Sequence, residues 1–339
     1  MQQCYTKGRK SFRWCYMIRS VMLQRMNRRD TALAALVVTI WGFNFLVIDW
    51  GMTGVPPLLF AAVRFTVVLL PAVFIVPKPD APWRTILGVG TFMSLGQFGF
   101  LYSSIHAGMP PGIAALVLQA HVILTVVIAA GVLREFPSRH QVVGVSLGSL
   151  GLIIVGFGRG GRISGGALAL CLLAGLSWAI GSVISRSSGI PGGLSLTVWS
   201  ALVVPLPLFV LSVVLDGPGA VSDALLEPSW KSIVSTLYTA CLASLFGYAV
   251  FNGLLSRYPS SAVVPWSLWG PVVAMTASWF LLGDKPNGPE LLGGVLLLVG
   301  VLVALRPTPR RRQPLVGEPG EMVATASRAA DSAGGSTSQ

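Results

Sequence analysis

The chain has 339 residues, of which 53 % are hydrophobic and 11 % charged, and its mean hydropathy is +0.73. Soluble domains carry roughly a quarter charged residues, so a water-soluble globular fold is excluded, and the lack of polar–apolar alternation excludes a β-barrel. The formal net charge of +12 does not call for nucleic acid, because membrane topology accounts for it below.

In chain order, residues 1–29 are basic and contain no apolar core of the kind a cleaved signal needs. They read as a cytoplasmic N-terminal extension, with Met22 or Met26 as candidate starts. Apolar runs of near bilayer length, roughly 20 residues each, then follow one another with short breaks. They predict about ten spans at 31–50, 56–77, 84–105, 111–133, 140–158, 164–188, 194–215, 229–255, 260–282 and 288–306. Pro56-Pro57, Pro110-Pro111 and Pro191-Gly192-Gly193 open spans, where a missing N–H is harmless. Pro205, Pro207, Pro265 and Pro271 lie inside spans and should bend them. The tail 307–339, rich in Pro, Gly, Ser, Ala and Arg, is expected to be disordered and cytoplasmic.

With the N-terminus inside, 19 Lys and Arg residues fall in inner segments and 4 in outer ones. The outer residues are Arg159, Arg162, Lys231 and Lys285, and Arg64 lies within a span. The positive-inside rule therefore places both termini in the cytoplasm. Cys171 and Cys241 lie in spans without metal-ligand spacing, so neither a metal nor another cofactor is expected.

The chain is internally repeated. Residues 102–144 align without gaps on 251–293, which sets Pro110 on Pro259, Glu135 on Asp284 and Gly144 on Gly293. Near the front of each half, Trp41 aligns with Trp178. Repeats of about five spans are odd-numbered, so the second must enter the membrane inverted, with the binding site between the two. The expected fold is an all-α membrane protein of about ten transmembrane helices in two inverted five-helix repeats, 30–158 and 164–306.

Polar side chains within a bilayer are costly and become functional candidates. Arg64 lies about 12 Å into the second span at 1.5 Å per residue. It serves either as a cation for a substrate carboxylate or as a structural partner of Asp49 or of exposed carbonyls. Trp41 and Asn44 share a face of the first span, and Trp178 is the repeat partner of Trp41. These tryptophans would form a cavity wall or simply pack, and Asn44 alone could bind helix to helix. Gln97 lies in the third span on one face with Ser94, Leu101 and Ser104, and Asn252 sits late in the eighth. Gln119 and His121 lie mid-span and about 200° apart on a helix, which would make the fourth span central. His121 is a candidate proton carrier or a neutral side chain bonded to a neighbouring span. Trp269 aligns with Ala120 beside the Pro265–Pro271 bend. No Asp or Glu occupies the middle of a span, so a carboxylate proton relay and a buried Na⁺ cage are disfavoured. The absence of a Walker A motif and of hydrolase motifs argues against an ATP-driven pump and an enzyme.

The stretch ALVVTIWGFNFLVIDWGMTGVPPLLFAAVRF resembles the opening of the EamA family of the drug/metabolite transporter superfamily, and GMPPGIAALVLQAHVILTVVIAAGVLREFPSRHQVVGVSLGSLGLIIV resembles the end of the same domain. The second copy is LAGLSWAIGSVISR with RYPSSAVVPWSLWGPVVAMTASWFLLGD. IWGFNF, VPPL, AVRF and GMPPGIAALVLQA are most similar to the bacterial O-acetylserine/cysteine exporter subgroup. The resemblance implies two inverted five-helix repeats around a central cavity and export of metabolites by alternating access. By it, Trp41, Asn44, Arg64, Gln97, Gln119 and Trp178 match positions in the family's recurring motifs.

The expected function is export of small amino-acid-like metabolites across the bacterial inner membrane. The alternatives are a drug or other metabolite permease of the same fold and, from another class, a membrane scaffold or scramblase. Expected partners are a small-molecule substrate and the lipid bilayer, with a homodimer allowed and nucleic acid excluded.

Overall fold

A computed structural model describes residues 26–134, 137–158, 164–189, 194–258 and 260–305. The extension up to residue 25 and the expected tail at 307–339 lie outside the described residues, as do Glu135, Arg159, Arg162, Pro259 and the Pro191-Gly192-Gly193 turn.

The described residues form helices and turns. They contain eight helices long and apolar enough to cross a membrane. These are α1 (Arg28–Gly51), α2 (Pro57–Ile75), α3 (Trp83–His106), α4 (Pro111–Val132), α5 (Arg139–Gly158), α6 (Gly165–Ser187), α7 (Leu194–Asp216) and, after a short amphipathic helix α8 (Pro218–Leu226), α9 (Trp230–Arg257). A broken helical segment, α10, covers 260–282, and a 17-residue apolar helix, α11 (Gly288–Ala304), follows. The protein is an all-α membrane protein. Large apolar side chains such as Phe74 (85 % exposed) and Phe157 (83 % exposed) point outward, which suits a surface bathed in lipid rather than water.

The short connections follow their sequence. Pro57 and Pro111 stand in the first turns of α2 and α4, where no N–H is needed. Gly108, at φ +93°, turns the chain between α3 and α4, a conformation that costs glycine little. The loop expected at 216–228 instead holds α8. Gly217 at φ +88° ends α7, and Pro218 starts the new helix. In α7 the helix gives way to a 3-10 turn at Ala201–Val203 and restarts at Pro205, so the prolines reset the helix rather than bend a continuous one.

The last helix of each repeat forms a shared seam. A Cβ on Gly144 would lie 2.5 Å from the Gly300 carbonyl oxygen, and one on Gly151 would lie 2.5 Å from that of Gly293. Gly158 meets Pro289. Rising numbers on α5 meet falling numbers on α11, so the two helices run antiparallel. The sequence alignment pairs Gly144 with Gly293 and Gly151 with Gly300, and the cross-contacts are reciprocal. Reciprocal contact of equivalent positions is the mark of a two-fold relation, and the antiparallel sense is what inverted repeats require. The remaining packing follows the same rule. First helix α1 lies against α9 and α10, the third and fourth helices of the other repeat, while α6 lies against α3 and α4.

At one end of the bundle, α1 is tied to the end of α9. The buried Asp30 carboxylate accepts from the Tyr258 hydroxyl at 2.8 Å and pairs with the exposed Arg257 at 3.4 Å. Ala34, Leu254 and Val263 pack as a small buried cluster beside it.

Candidate functional site

The third helices of both repeats lose regular α-geometry at corresponding places. In α3 a π-helical segment covers Gly90–Gly96, and in α9 one covers Tyr238–Phe246. The alignment that sets Tyr102 on Phe251 sets Gly90 on Thr239, so the two segments start within one residue of each other. Such widened turns are frequent at functional sites. Each also receives a donor from the first helix of the opposite repeat. Ser177 Oγ on α6 donates to the Phe92 carbonyl at 2.7 Å, and Trp41 Nε1 on α1 donates to the Ala243 carbonyl at 2.8 Å. Glycine permits the approach, since a Cβ on Gly247 would lie 2.6 Å from Trp41 Nε1.

Arg64 projects from α2 onto these elements and is 3 % exposed. Its Nη1 donates to the Tyr102 hydroxyl at 2.7 Å, and its Nη2 donates to Ser244 Oγ at 3.0 Å. Ser244 in turn donates to the Thr239 carbonyl at 2.8 Å. The guanidinium carbon sits 4.5 Å from the Phe98 ring centroid, a cation–π distance. Arg64 Nε is buried and has no partner. The pairing with Asp49, one of the structural alternatives for Arg64, is not formed. Asp49 stands at the end of α1, whereas Arg64 is aimed at α3 and α9, where two neutral hydroxyls meet it. A buried guanidinium held by neutral groups keeps its full positive charge for an incoming anion.

Trp41 packs between Tyr248 and Phe251, with ring centroids 5.7 and 5.0 Å away. Trp41 and Arg64 therefore bond to the consecutive residues Ala243 and Ser244. Asn44, one turn beyond Trp41, is 8 % exposed, and its Oδ1 has no partner.

The fourth helices form a second element of the site. The α-helix of α4 breaks at Gln119, between Leu118 and Ala120, although no proline is present. In α10 a 3-10 turn covers Val264–Leu268, and Gln119 aligns with Leu268. Both fourth helices are thus interrupted at equivalent positions, whereas sequence placed a bend only in the second. Beyond the first break the His121 ring lies on the Trp178 ring, with centroids 4.4 Å apart. His121 Nδ1 faces the Leu118 carbonyl at 2.8 Å.

The structure thus gathers Trp41 and Arg64 on the α9 π-segment, leaves Asn44 buried one turn beyond Trp41, and joins His121 to Trp178. Gln97 is 2 % exposed and Gln119 9 % exposed, and neither side chain bonds a described residue. Asn252 is half-buried beside Phe251, and Trp269 is 54 % exposed at the start of its α-turn. Ser94, Leu101 and Ser104 are buried as one face. Sequence reading passed over Tyr102, Ser244, Phe98 and Tyr248. The alignment of Tyr102 with Phe251 is the signal that could have found the first, because both rings flank the site.

Apolar helices arranged as inverted halves, with interrupted third and fourth helices beside a buried cation, define a multi-pass membrane transporter. The chain belongs to the EamA-like transporter family, whose model matches residues 31–157 and 165–306, and it is a transporter rather than an enzyme. It is 39 % identical over 284 residues to a protein of Salmonella typhimurium named "Probable amino-acid metabolite efflux pump", a match covering 82 % of this chain and 95 % of that one. The protein of the same name from Escherichia coli K12 is 37 % identical with the same coverage. The "Uncharacterized inner membrane transporter YedA" of that strain is 28 % identical over 81 % of this chain and 90 % of its own. A solved structure described only as the crystal structure of a protein superposes with a TM-score of 0.57 at 18 % identity, covering 81 % of this chain and 96 % of that one. That likeness concerns the fold alone.

Proposed function

We propose that this transporter exports small amino-acid-like metabolites of the cysteine/O-acetylserine type across a bacterial inner membrane, by alternating access and with both termini cytoplasmic. The observation that carries this reading is Arg64, a buried cation whose bonded partners are neutral hydroxyls and whose Nε is unpartnered. A carboxylate entering there gains a charge-assisted, bidentate contact without displacing a resident acid. The names of the Salmonella typhimurium and Escherichia coli K12 relatives support the substrate class, and the name of a third relative supports an inner-membrane location. The reciprocal seam of α5 and α11 supports two interconvertible states related by exchange of the repeats.

The test is export of amino-acid metabolites from overexpressing cells, and uptake by proteoliposomes, for wild type, Arg64→Lys and Arg64→Met. Arg64→Lys should reach the membrane but transport carboxylate substrates poorly, since an ammonium copies a guanidinium fork badly. Normal transport by Arg64→Met would sink the carboxylate reading. It would favour a permease for drugs or other metabolites that relies on the aromatic wall of Trp41, Tyr248 and Phe251.

A further inference from the structure

Among the described residues three buried side-chain polar atoms lack a partner, Asn44 Oδ1, Arg64 Nε and Ser235 Oγ, and the first two have opposite chemistry. Arg64 Nε is a donor and Asn44 Oδ1 is an acceptor. We infer that they are the two halves of a zwitterion site, in which Arg64 takes the substrate carboxylate and Asn44 takes its α-ammonium. This rests on the carboxylate reading of Arg64 and adds to it the requirement for an amine.

The placement follows from the helices. Asn44 lies seven residues before the end of α1 at Gly51, and Arg64 lies seven residues after the start of α2 at Pro57. The two ends are joined by a short connection, so both residues sit at one depth, about 10 Å into the bundle at 1.5 Å per residue. Asn44 shares a helix face with Trp41, and Trp41 bonds Ala243 while Arg64 bonds Ser244. The α9 π-segment packs against both α1 and α2, so Asn44 and Arg64 stand at one depth on the two helices that flank the same short stretch of chain.

A buried amide without a partner is costly. No hydrogen bond joins Asn44 to a described residue, so helix-to-helix bonding, the ordinary use of such a residue, is not realised. An amide oxygen is a neutral acceptor. It can hold an ammonium without neutralising Arg64, which an Asp at that place would do. The absence of a carboxylate from the cluster is therefore consistent with a ligand that brings both charges itself.

The experiment compares two probes that differ only by the amine, S-methyl-L-cysteine and 3-(methylthio)propionate. Half-saturating concentrations for uptake are measured in proteoliposomes containing the full chain. Wild type should favour the amino acid about tenfold or more, the scale of one hydrogen bond to a charged group. Asn44→Leu should bring the ratio near one by weakening the amino acid alone, whereas Asn44→Asp, which would pair with Arg64, should weaken both probes. Arg64→Met should lose both probes. If Asn44→Leu keeps the wild-type ratio while Arg64→Met loses both probes, the amine half is wrong and the carboxylate reading stands. If wild type takes up neither probe, or Arg64→Met takes up both, the carboxylate reading falls and the zwitterion site falls with it.

Discussion

The His121 imidazole and the Trp178 indole lie face to face, 4.4 Å between centroids and 8° from parallel. Trp178 is the repeat partner of Trp41, yet the two indoles do different work. Trp41 donates its N–H to a carbonyl of a third helix, whereas Trp178 presents its flat face to a residue of a fourth. With Nδ1 donating to Leu118, Nε2 is the atom of His121 left to accept a proton, and a charged imidazolium over an indole would gain cation–π stabilisation.

That geometry sets a test of coupling. The described spans carry no mid-membrane acid, so we expect facilitated export down a cytoplasmic gradient. Reconstituted wild type under an imposed pH gradient should equilibrate substrate without accumulating it, and His121→Gln should behave alike. Accumulation by wild type that is lost in His121→Gln, while equilibration persists, would replace the facilitator with His121-dependent proton exchange. Accumulation that survives the mutation would point to a different carrier.

The hydroxyls around Arg64 should matter for stability before they matter for transport. Tyr102→Phe or Ser244→Ala leaves a guanidinium N–H buried without its acceptor, at a cost of about 1–3 kcal/mol. Thermal unfolding in detergent should show a lowered Tm for each. An unchanged Tm in both would mean that water or lipid headgroups reach the guanidinium.

The seam of α5 and α11 should tolerate no side chain. Gly151→Val and Gly300→Val would drive a branched side chain into backbone on the facing helix, beyond what the 1–3 kcal/mol of ordinary overpacking describes. Size-exclusion profiles of fluorescent fusions should show loss of the folded peak. Gly131→Val, where nothing lies within 4 Å of the added Cβ, should keep it. Equal behaviour of all three would mean that the seam is not a folding contact.

Topology can be read independently. The 19-to-4 division of basic residues predicts both termini in the cytoplasm and the α7–α9 connection outside. Cysteine labelling from either side should show this pattern. A C-terminus on the outer face would contradict an inner N-terminus joined to inverted five-helix halves.

By itself, the sequence determined the class and the outline. Length of apolar run is a local property, so near-20-residue spans and their proline and glycine breaks could be read directly, and the internal alignment exposed the repeat. Arg64, Trp41, Asn44 and His121 stood out because polar and indole groups deep in a bilayer need a reason. Tertiary structure decided the rest. A π-segment depends on which donor comes to meet its carbonyls, and Trp41 and Ser177 come from the opposite repeat, 202 and 85 residues away from Ala243 and Phe92. No local pattern announces Ser244 as a partner of Arg64 across 180 residues. Gln119 interrupts α4 without a proline, so no composition rule marks that break. The reciprocity of Gly144 with Gly300 and Gly151 with Gly293 exists only once two distant helices lie antiparallel, because contact between backbones is a property of the pair and not of either strip of sequence.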